Sequence, residues 1–275
     1  MIPDAEAKRI ALIHGVDPLV IDLDHALGVA LWSLTAAGLD RWGWVFKGGT
    51  CLRKSYFEGY RFSEDLDFTA AHPVSPDSVT RRIRTIAEPA ASHGVIVHLD
   101  ELQCSAESDD YGRQTVKARV PYRGAIIRSG APRVLQFDVS ADETLCFAAV
   151  KRPMLHPYSD ATSVACELPV YALEEVMAEK LRAIAGQRRY ALARDVYDIA
   201  RLSVELDDLD AALAAVPVKA AYKALDLTGC AKRFVARRDE FSASWERHIT
   251  GLLADADDIS FDEAFEACVD LLHRI

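Results

Sequence analysis

Phe46-Lys47-Gly48-Gly49-Thr50 and, after a short spacer, Arg61-Phe62-Ser63-Glu64-Asp65-Leu66-Asp67-Phe68 carry the pattern on which the fold turns. The apolar run from Trp42 to Phe46 reads as a buried strand opening into a tight turn at Lys-Gly-Gly-Thr, with Cys51 to Phe57 as a short helix beyond it. Glycines let a backbone approach a phosphate closely, and a helix N-terminus offers unpaired N–H groups to an anion. On that reading Gly48 and Gly49 admit the phosphate, Thr50 adds a hydroxyl donor and Lys47 a charge. A strand-to-helix turn that merely needs glycine would carry the same letters. Leu66 and Phe68 alternate with Asp65 and Asp67, so period two puts both carboxylates on one face of a strand. Such a pair is a natural site for Mg²⁺, which takes hard oxygen ligands from carboxylates and substrate phosphates. Asp-x-Asp by itself is equally the mark of a solvated turn. A third carboxylate is needed if two metals are to clamp an in-line phosphoryl displacement, and Asp138 is the candidate. It lies in the apolar run Val134-Leu135-Gln136-Phe137-Asp138-Val139, where an unpaired charge is expensive. A salt-bridged structural aspartate is the competing reading there.

Outward from this stretch, residues 17 to 39 read as a helix, with Leu19, Leu23, Leu27, Leu31 and Leu34 at helical spacing. Pro76 to Ser92 reads as helix, and Val95 to Leu99, Thr115 to Tyr122 and Val134 to Val139 as strands. Residues 150 to 169, with Pro153, Pro157 and Pro169, read as an irregular linker or crossing loop. Beyond Tyr171 nearly everything reads as helix. Leu173, Val176, Met177, Leu181 and Ile184 form one stripe, and a final helix opens with the capping box Ser260 and Glu263. The expected class is α+β: a mixed-sheet domain over residues 1–150, followed by a helical domain over 170–275.

The helical half holds a second constellation. Lys180 precedes Arg194-Asp195-Val196-Tyr197-Asp198, which puts Asp195 and Asp198 on one helix face. One reading is an interhelical ion-pair network. In the other, Lys180 neutralises triphosphate charge and Asp195 positions the triphosphate or the base.

Bulk properties bound the function. The 275 residues carry a net charge of −10, which argues against coating nucleic acid nonspecifically. A local basic run, Arg113, Lys117, Arg119, Arg123, Arg128 and Arg133, leaves room for a polynucleotide held at one patch, or for a solvated hairpin face. Six scattered cysteines with no CxxC pair read as free thiols, and the eight histidines show no ligand spacing, so no structural zinc site is expected. No stretch approaches the roughly 20 uninterrupted apolar residues of a membrane span, and MIPDAEAKRI has no secretory pattern. The expectation is a cytoplasmic protein without a membrane partner.

Taken together, Phe46–Thr50 and Arg61–Phe68 resemble the first motif of the AbiEii/AbiGii-type toxin nucleotidyltransferases. Ala178-Glu179-Lys180-Leu181 and Arg194–Asp198 look like that family's downstream lysine and Arg-Asp-x-x-Asp motifs, in the expected order. The resemblance covers about Phe46 to Leu202. It implies a polymerase-beta-type nucleotidyltransferase domain with a helical C-terminal domain, a Mg²⁺ (or Mn²⁺) cofactor, and an NTP as substrate. It further implies a toxin of a type IV toxin–antitoxin system, with a cognate antitoxin as partner. The MenT-like branch transfers nucleotides to the 3′ end of tRNA and so blocks translation. By motif position Asp65 and Asp67 would bind metal. Lys47, Lys180 and Asp195 would serve catalysis or nucleotide binding, with Asp198 beside them. Ser63 matches a serine that some relatives have phosphorylated, and a phosphate there adds about −1.5 to −2 charges beside the metal site. Transfer to a protein hydroxyl, an Asp-x-Asp glycosyltransferase and a non-catalytic nucleotide-binding module are the rival readings. The spacer from Gly49 to Asp65 is longer than in the wider superfamily, which limits carry-over from distant relatives.

Overall fold

The computed structural model describes residues 2–108, 114–126, 131–187, 190–249, 251–252 and 259–275. The elements in chain order are α1 (Asp4–His14), α2 (Pro18–Ala37), β1 (Trp44–Lys47), α3 (Gly48–Cys51), β2 (Asp65–Ala70), α4 (Pro76–Arg84), α5 (Ala87–Ser92), β3 (Ile96–Val97), β4 (Gln103–Ser108), β5 (Gln114–Arg123), β6 (Arg133–Ser140), β7 (Val150–Pro153) and β8 (Glu167–Val170). Helices α6 (Leu173–Arg182), α7 (Ala193–Glu205), α8 (Leu209–Tyr222), α9 (Cys230–Val235), α10 (Arg238–His248) and α11 (Phe261–Leu272) follow. The chain forms two compact units, Met1–Glu143 with Ala149–Val170, and Thr144–Ala148 with Tyr171–Ile275.

The first unit is built on a mixed sheet, of eight strands among the described residues, in the order β3-β5-β6-β2-β1-β8-β7, with β4 also on β5. β2 runs antiparallel to β1 and parallel to β6. The alternating pattern of β2 decides its faces. Leu66 and Phe68 are fully buried with Phe46, Phe137 and Val139, while Asp65 and Asp67 lie half-buried on the other side. Helices α2, α4 and α5 contribute Leu27, Leu31, Val79, Ile83 and Ala90 to the same apolar core. The all-helical second unit centres on α6 and α7, whose Val176, Met177, Leu181, Val196, Tyr197 and Leu202 are buried. Phe234, Phe241 and Phe265 pack against one another there. The capping box Ser260–Glu263 forms as read. Lys219 and Glu175, both fully buried, pair, and Glu175 also accepts from the backbone N–H groups of Cys146 and Phe147.

Several elements differ from the sequence reading for identifiable reasons. Residues 76–92 form two helices, because Pro89 has no N–H for the Thr85 carbonyl, and the turn tightens through Thr85 N to Arg82 O and Ile86 N to Ile83 O. Residues 150–169 hold two strands rather than a linker: the edge strand β7 pairs antiparallel with β8, β8 meets β1 at Phe46 and Val170, and Pro157 lies in the connection between them. Strand β4, Gln-Cys-Ser-Ala-Glu-Ser, carries only the small Cys104 and Ala106 as apolar positions and is largely exposed, so its sequence gives little strand signal. Helix α2 is long and apolar enough by length and composition to cross a membrane, with a mean hydropathy of 1.4 and 72% of that window buried. It is the central core helix of the first unit and carries the buried polar residues Asp22, Asp24 and His25.

Asp24 is the polar anchor of this unit. Its carboxylate accepts from Arg53 Nε at 2.7 Å, Lys54 Nζ at 2.6 Å and the Tyr158 hydroxyl at 2.5 Å. Burial alone would raise its pKa, but Arg53 and Lys54 outweigh that cost and hold it well below the ordinary carboxylate range. Arg53 continues the tie to the Tyr60 carbonyl and lies 3.6 Å over the Phe62 ring. Asp24→Ala strands two buried cations, so it is expected to cost about 3–5 kcal/mol in urea unfolding. Because the folded pKa is depressed, the wild-type contribution is present above the unfolded value near 3.9 and is lost as pH falls below it. The variant should therefore show a weaker acid dependence than the wild type.

Candidate active site

The site in the first unit is set by sheet register. Lys47 on β1 pairs with Asp67 on β2, Asp67 pairs with Asp138 on β6, and Asp138 pairs with Lys117 on β5. Directly paired residues point to the same face of a sheet. The four residues thus form one row across adjacent strands, with Asp65 on the same face two residues along β2. Three carboxylates meet there, flanked by two lysines. Asp138 is pushed up to about 6, first by burial and then by the facing Asp67, with Asp65 adding and Lys117 opposing. Lys117 also pairs with Glu107 on β4 at 2.9 Å.

The Gly-Gly turn closes on this row. Gly48 has φ +81°, and a Cβ there would come within 2.4 Å of Asp67 Oδ2. A Cβ on Gly49 would come within 2.5 Å of Arg61 Nη2 and 3.2 Å of Ser63 Oγ. Both glycines are therefore dictated by close approach. They bring the turn, the buried Arg61 and Ser63, and the start of β2 together. Thr50 is buried, and its hydroxyl donates to the Asp65 carbonyl at 2.5 Å. That donor is spent on holding β2 in place. Helix α3 is a single turn that runs on into a wider π-helical turn, Leu52–Tyr56, carrying Arg53 and Lys54.

In the second unit Lys180 on α6 meets both acids of α7, with Nζ 3.0 Å from Asp195 Oδ1 and 2.6 Å from Asp198 Oδ2. Asp198 is fully buried. The geometry within this unit is that of an interhelical ion-pair network.

Of the basic run, Lys117, Arg119 and Arg123 alternate along β5, on the face that carries Asp138 and Gln136. Arg119 donates to Gln136 Oε1 at 2.9 Å, and Arg133 donates to the Leu19 carbonyl. Arg113 and Arg128 lie outside the described residues. Sequence reasoning missed two parts of the arrangement. Lys117 was visible only as one charge in a run, because its place beside Asp138 follows from strand pairing. The Asp24–Arg53–Lys54 anchor had a weak signal, a basic pair directly after the Gly-Gly turn.

A family model described as the nucleotidyl transferase AbiEii toxin of type IV toxin–antitoxin systems matches residues 31–267. No curated protein sequence gives a significant match. Among solved structures, the fold is similar to MenT4, a nucleotidyltransferase toxin from Mycobacterium tuberculosis, at 24% identity and a TM-score of 0.61, covering 100% of this chain and 96% of that one. It is also similar to JHP933 from Helicobacter pylori, at 16% identity and a TM-score of 0.58, covering 94% and 92%.

Three mutually repelling carboxylates carry a stability cost when no cation is present. Asp138→Asn should stabilise the chelated, metal-free protein at pH 8 by on the order of 1–3 kcal/mol. The sign follows from the raised folded pKa, since an ionised Asp138 is less favourable in the folded than in the unfolded chain above pH 6. Urea unfolding in EDTA measures it, and a variant no more stable than wild type would remove the repulsion argument.

Proposed function

Since the chain belongs to the AbiEii nucleotidyl transferase toxin family, we propose that it transfers a nucleoside monophosphate from an NTP to the 3′ end of tRNA and thereby blocks translation. The observation that carries this reading is the row of Lys47, Asp67, Asp138 and Lys117 with Asp65 beside it. Hard oxygen donors on one face, with Asp138 raised first by burial and then by Asp67, fit a divalent cation, and Asp65, Asp67 and Asp138 would hold Mg²⁺ or Mn²⁺. When bound, that ion would neutralise phosphate charge and favour attack by the acceptor hydroxyl on the α-phosphate, with the α–β anhydride bond breaking and pyrophosphate leaving.

The chain's own residues divide the remaining work. Gly48 and Gly49 let Asp67, Arg61 and Ser63 close against the turn where a Cβ would clash, which keeps the backbone of the turn beside the carboxylate row. Lys47 supplies positive charge at the end of β1, and Thr50 acts by positioning the β2 backbone. Lys180 and Asp195, with Asp198, take the nucleotide-binding roles that the motif resemblance implies. The basic face of β5, with Lys117, Arg119 and Arg123, suits an RNA phosphate backbone approaching the acidic row. Ser63, whose Oγ would lie 3.2 Å from a Cβ on Gly49, is two residues before Asp65, and a phosphate on it would add negative charge near the acidic row, which suits control by a cognate antitoxin. The setting for such a reaction is the cytoplasm.

Incubation with Mg²⁺, total tRNA and each α-labelled NTP tests the reading. Label should enter tRNA with one preferred NTP, and Asp65→Ala should reduce it to the level without enzyme. Label that survives RNase but not protease would replace tRNA by a protein acceptor. Full activity of Asp65→Ala would sink the scheme.

A further inference from the structure

Away from the acidic row, histidines that are scattered along the sequence converge in the first unit. His25 on the core helix α2 places Nε2 3.0 Å from Asp160 Oδ2, and His156 places Nε2 3.0 Å from Asp160 Oδ1. The ligand atoms of these three residues all lie within 4.8 Å of one another. His93, which ends α5, directs Nδ1 at the same Asp160 Oδ2 from 3.6 Å, and that nitrogen is buried with no hydrogen-bond partner among the described residues. Three imidazoles from separate segments therefore surround one carboxylate, and all four side chains are at least 88% buried, the most exposed being His93 at 12%.

We propose that His25, His156 and Asp160 form the heart of a structural zinc site, with His93 moving in from 3.6 Å as the fourth ligand. Zn²⁺ binds imidazole nitrogen and carboxylate oxygen at about 2.0–2.2 Å in a tetrahedron, which puts neighbouring donor atoms about 3.3 Å apart. His25 Nε2 lies 3.0 Å from Asp160 Oδ2 and His156 Nε2 3.0 Å from Oδ1, close to that spacing, and the three residues' ligand atoms stay within 4.8 Å of one another, so small side-chain shifts bring them onto one ion. The fold also makes room for this cluster at a cost. Gly28 lies in the buried middle of α2, where glycine weakens a helix by about 1 kcal/mol, and a Cβ there would come within 2.4 Å of His156 Nδ1. The helix thus accepts a glycine so that the His156 ring can reach Asp160. Zinc at this point would tie α2, the end of α5 and the 156–160 loop together, and that loop already reaches Asp24 through Tyr158. The inference does not rest on the proposed reaction. Its sequence trace is only His156 and Asp160 four residues apart, because His25 and His93 join them through the tertiary fold.

The test uses untagged full-length protein purified without chelator. Elemental analysis should find about one zinc per chain. Stripping it should lower the melting temperature, and adding Zn²⁺ alone should restore it. Co²⁺ added to the stripped protein should give the visible absorption of tetrahedral cobalt. Gly28→Ala, which keeps every ligand but crowds His156, and His93→Ala, which removes the most peripheral one, should each weaken zinc retention at least about tenfold. Asp65→Ala should retain zinc fully, which separates this site from the acidic row. A zinc-free protein whose melting temperature ignores added Zn²⁺ and that gives no cobalt band would overturn the proposal, leaving a hydrogen-bonded cluster. So would zinc that leaves with Asp65→Ala but stays with His93→Ala.

Discussion

Like charges held together against their repulsion are the constraint on which this structure depends. Asp67 and Asp138 are directly paired across β2 and β6, and Asp65 shares their face. No local interaction would gather three carboxylates in this way. The sheet imposes it, since Leu66, Phe68, Phe137 and Val139 are buried on the opposite face and a one-residue slip would turn that face out to solvent. Burial of the apolar side thereby fixes the polar side. The energy that assembles the site comes from the core, and the cost appears in the raised pKa of Asp138.

The turn beside the row is held by a second set of forces. Gly48 and Gly49 are admitted because Asp67, Arg61 and Ser63 stand where their Cβ atoms would lie. The segment that follows is pinned by Arg53 and Lys54 on Asp24, deep under the sheet on α2. Asp24 also takes the Tyr158 hydroxyl, so the return loop before β8 is fixed to the same helix. A buried, multiply bonded carboxylate is costly to desolvate, but it specifies where three chain segments must meet. In the helical unit Lys180 plays the corresponding part, joining α6 to α7 through Asp195 and Asp198.

How much of this was legible depended on whether the signal was local. The strand-turn pattern at Phe46–Thr50, the alternation at Asp65–Phe68 and the last helix's capping box depend on neighbours within a few residues, and each is present in the structure. The α+β class and the nucleotidyltransferase family were readable for the same reason. What sequence could not supply was pairing. Lys117 beside Asp138 follows from the register of β5 on β6, and the meeting of His25, His93 and Asp160 from tertiary packing. The β7–β8 pairing was hidden because Pro153, at the end of the edge strand β7, and Pro169, inside β8, are read locally as breakers. Residues 188–189, part of the arginine-rich stretch before α7, lie outside the described residues.

The central claim is that the row of carboxylates is a divalent-cation site set by register. Titration of the protein with Mn²⁺, followed by the loss of free-ion EPR signal, tests it most directly. The wild type should bind Mn²⁺ saturably and release it to excess Mg²⁺, and Asp67→Asn, which keeps the shape of the side chain but removes the central charge, should lose that binding. Undiminished Mn²⁺ binding by Asp67→Asn would contradict it.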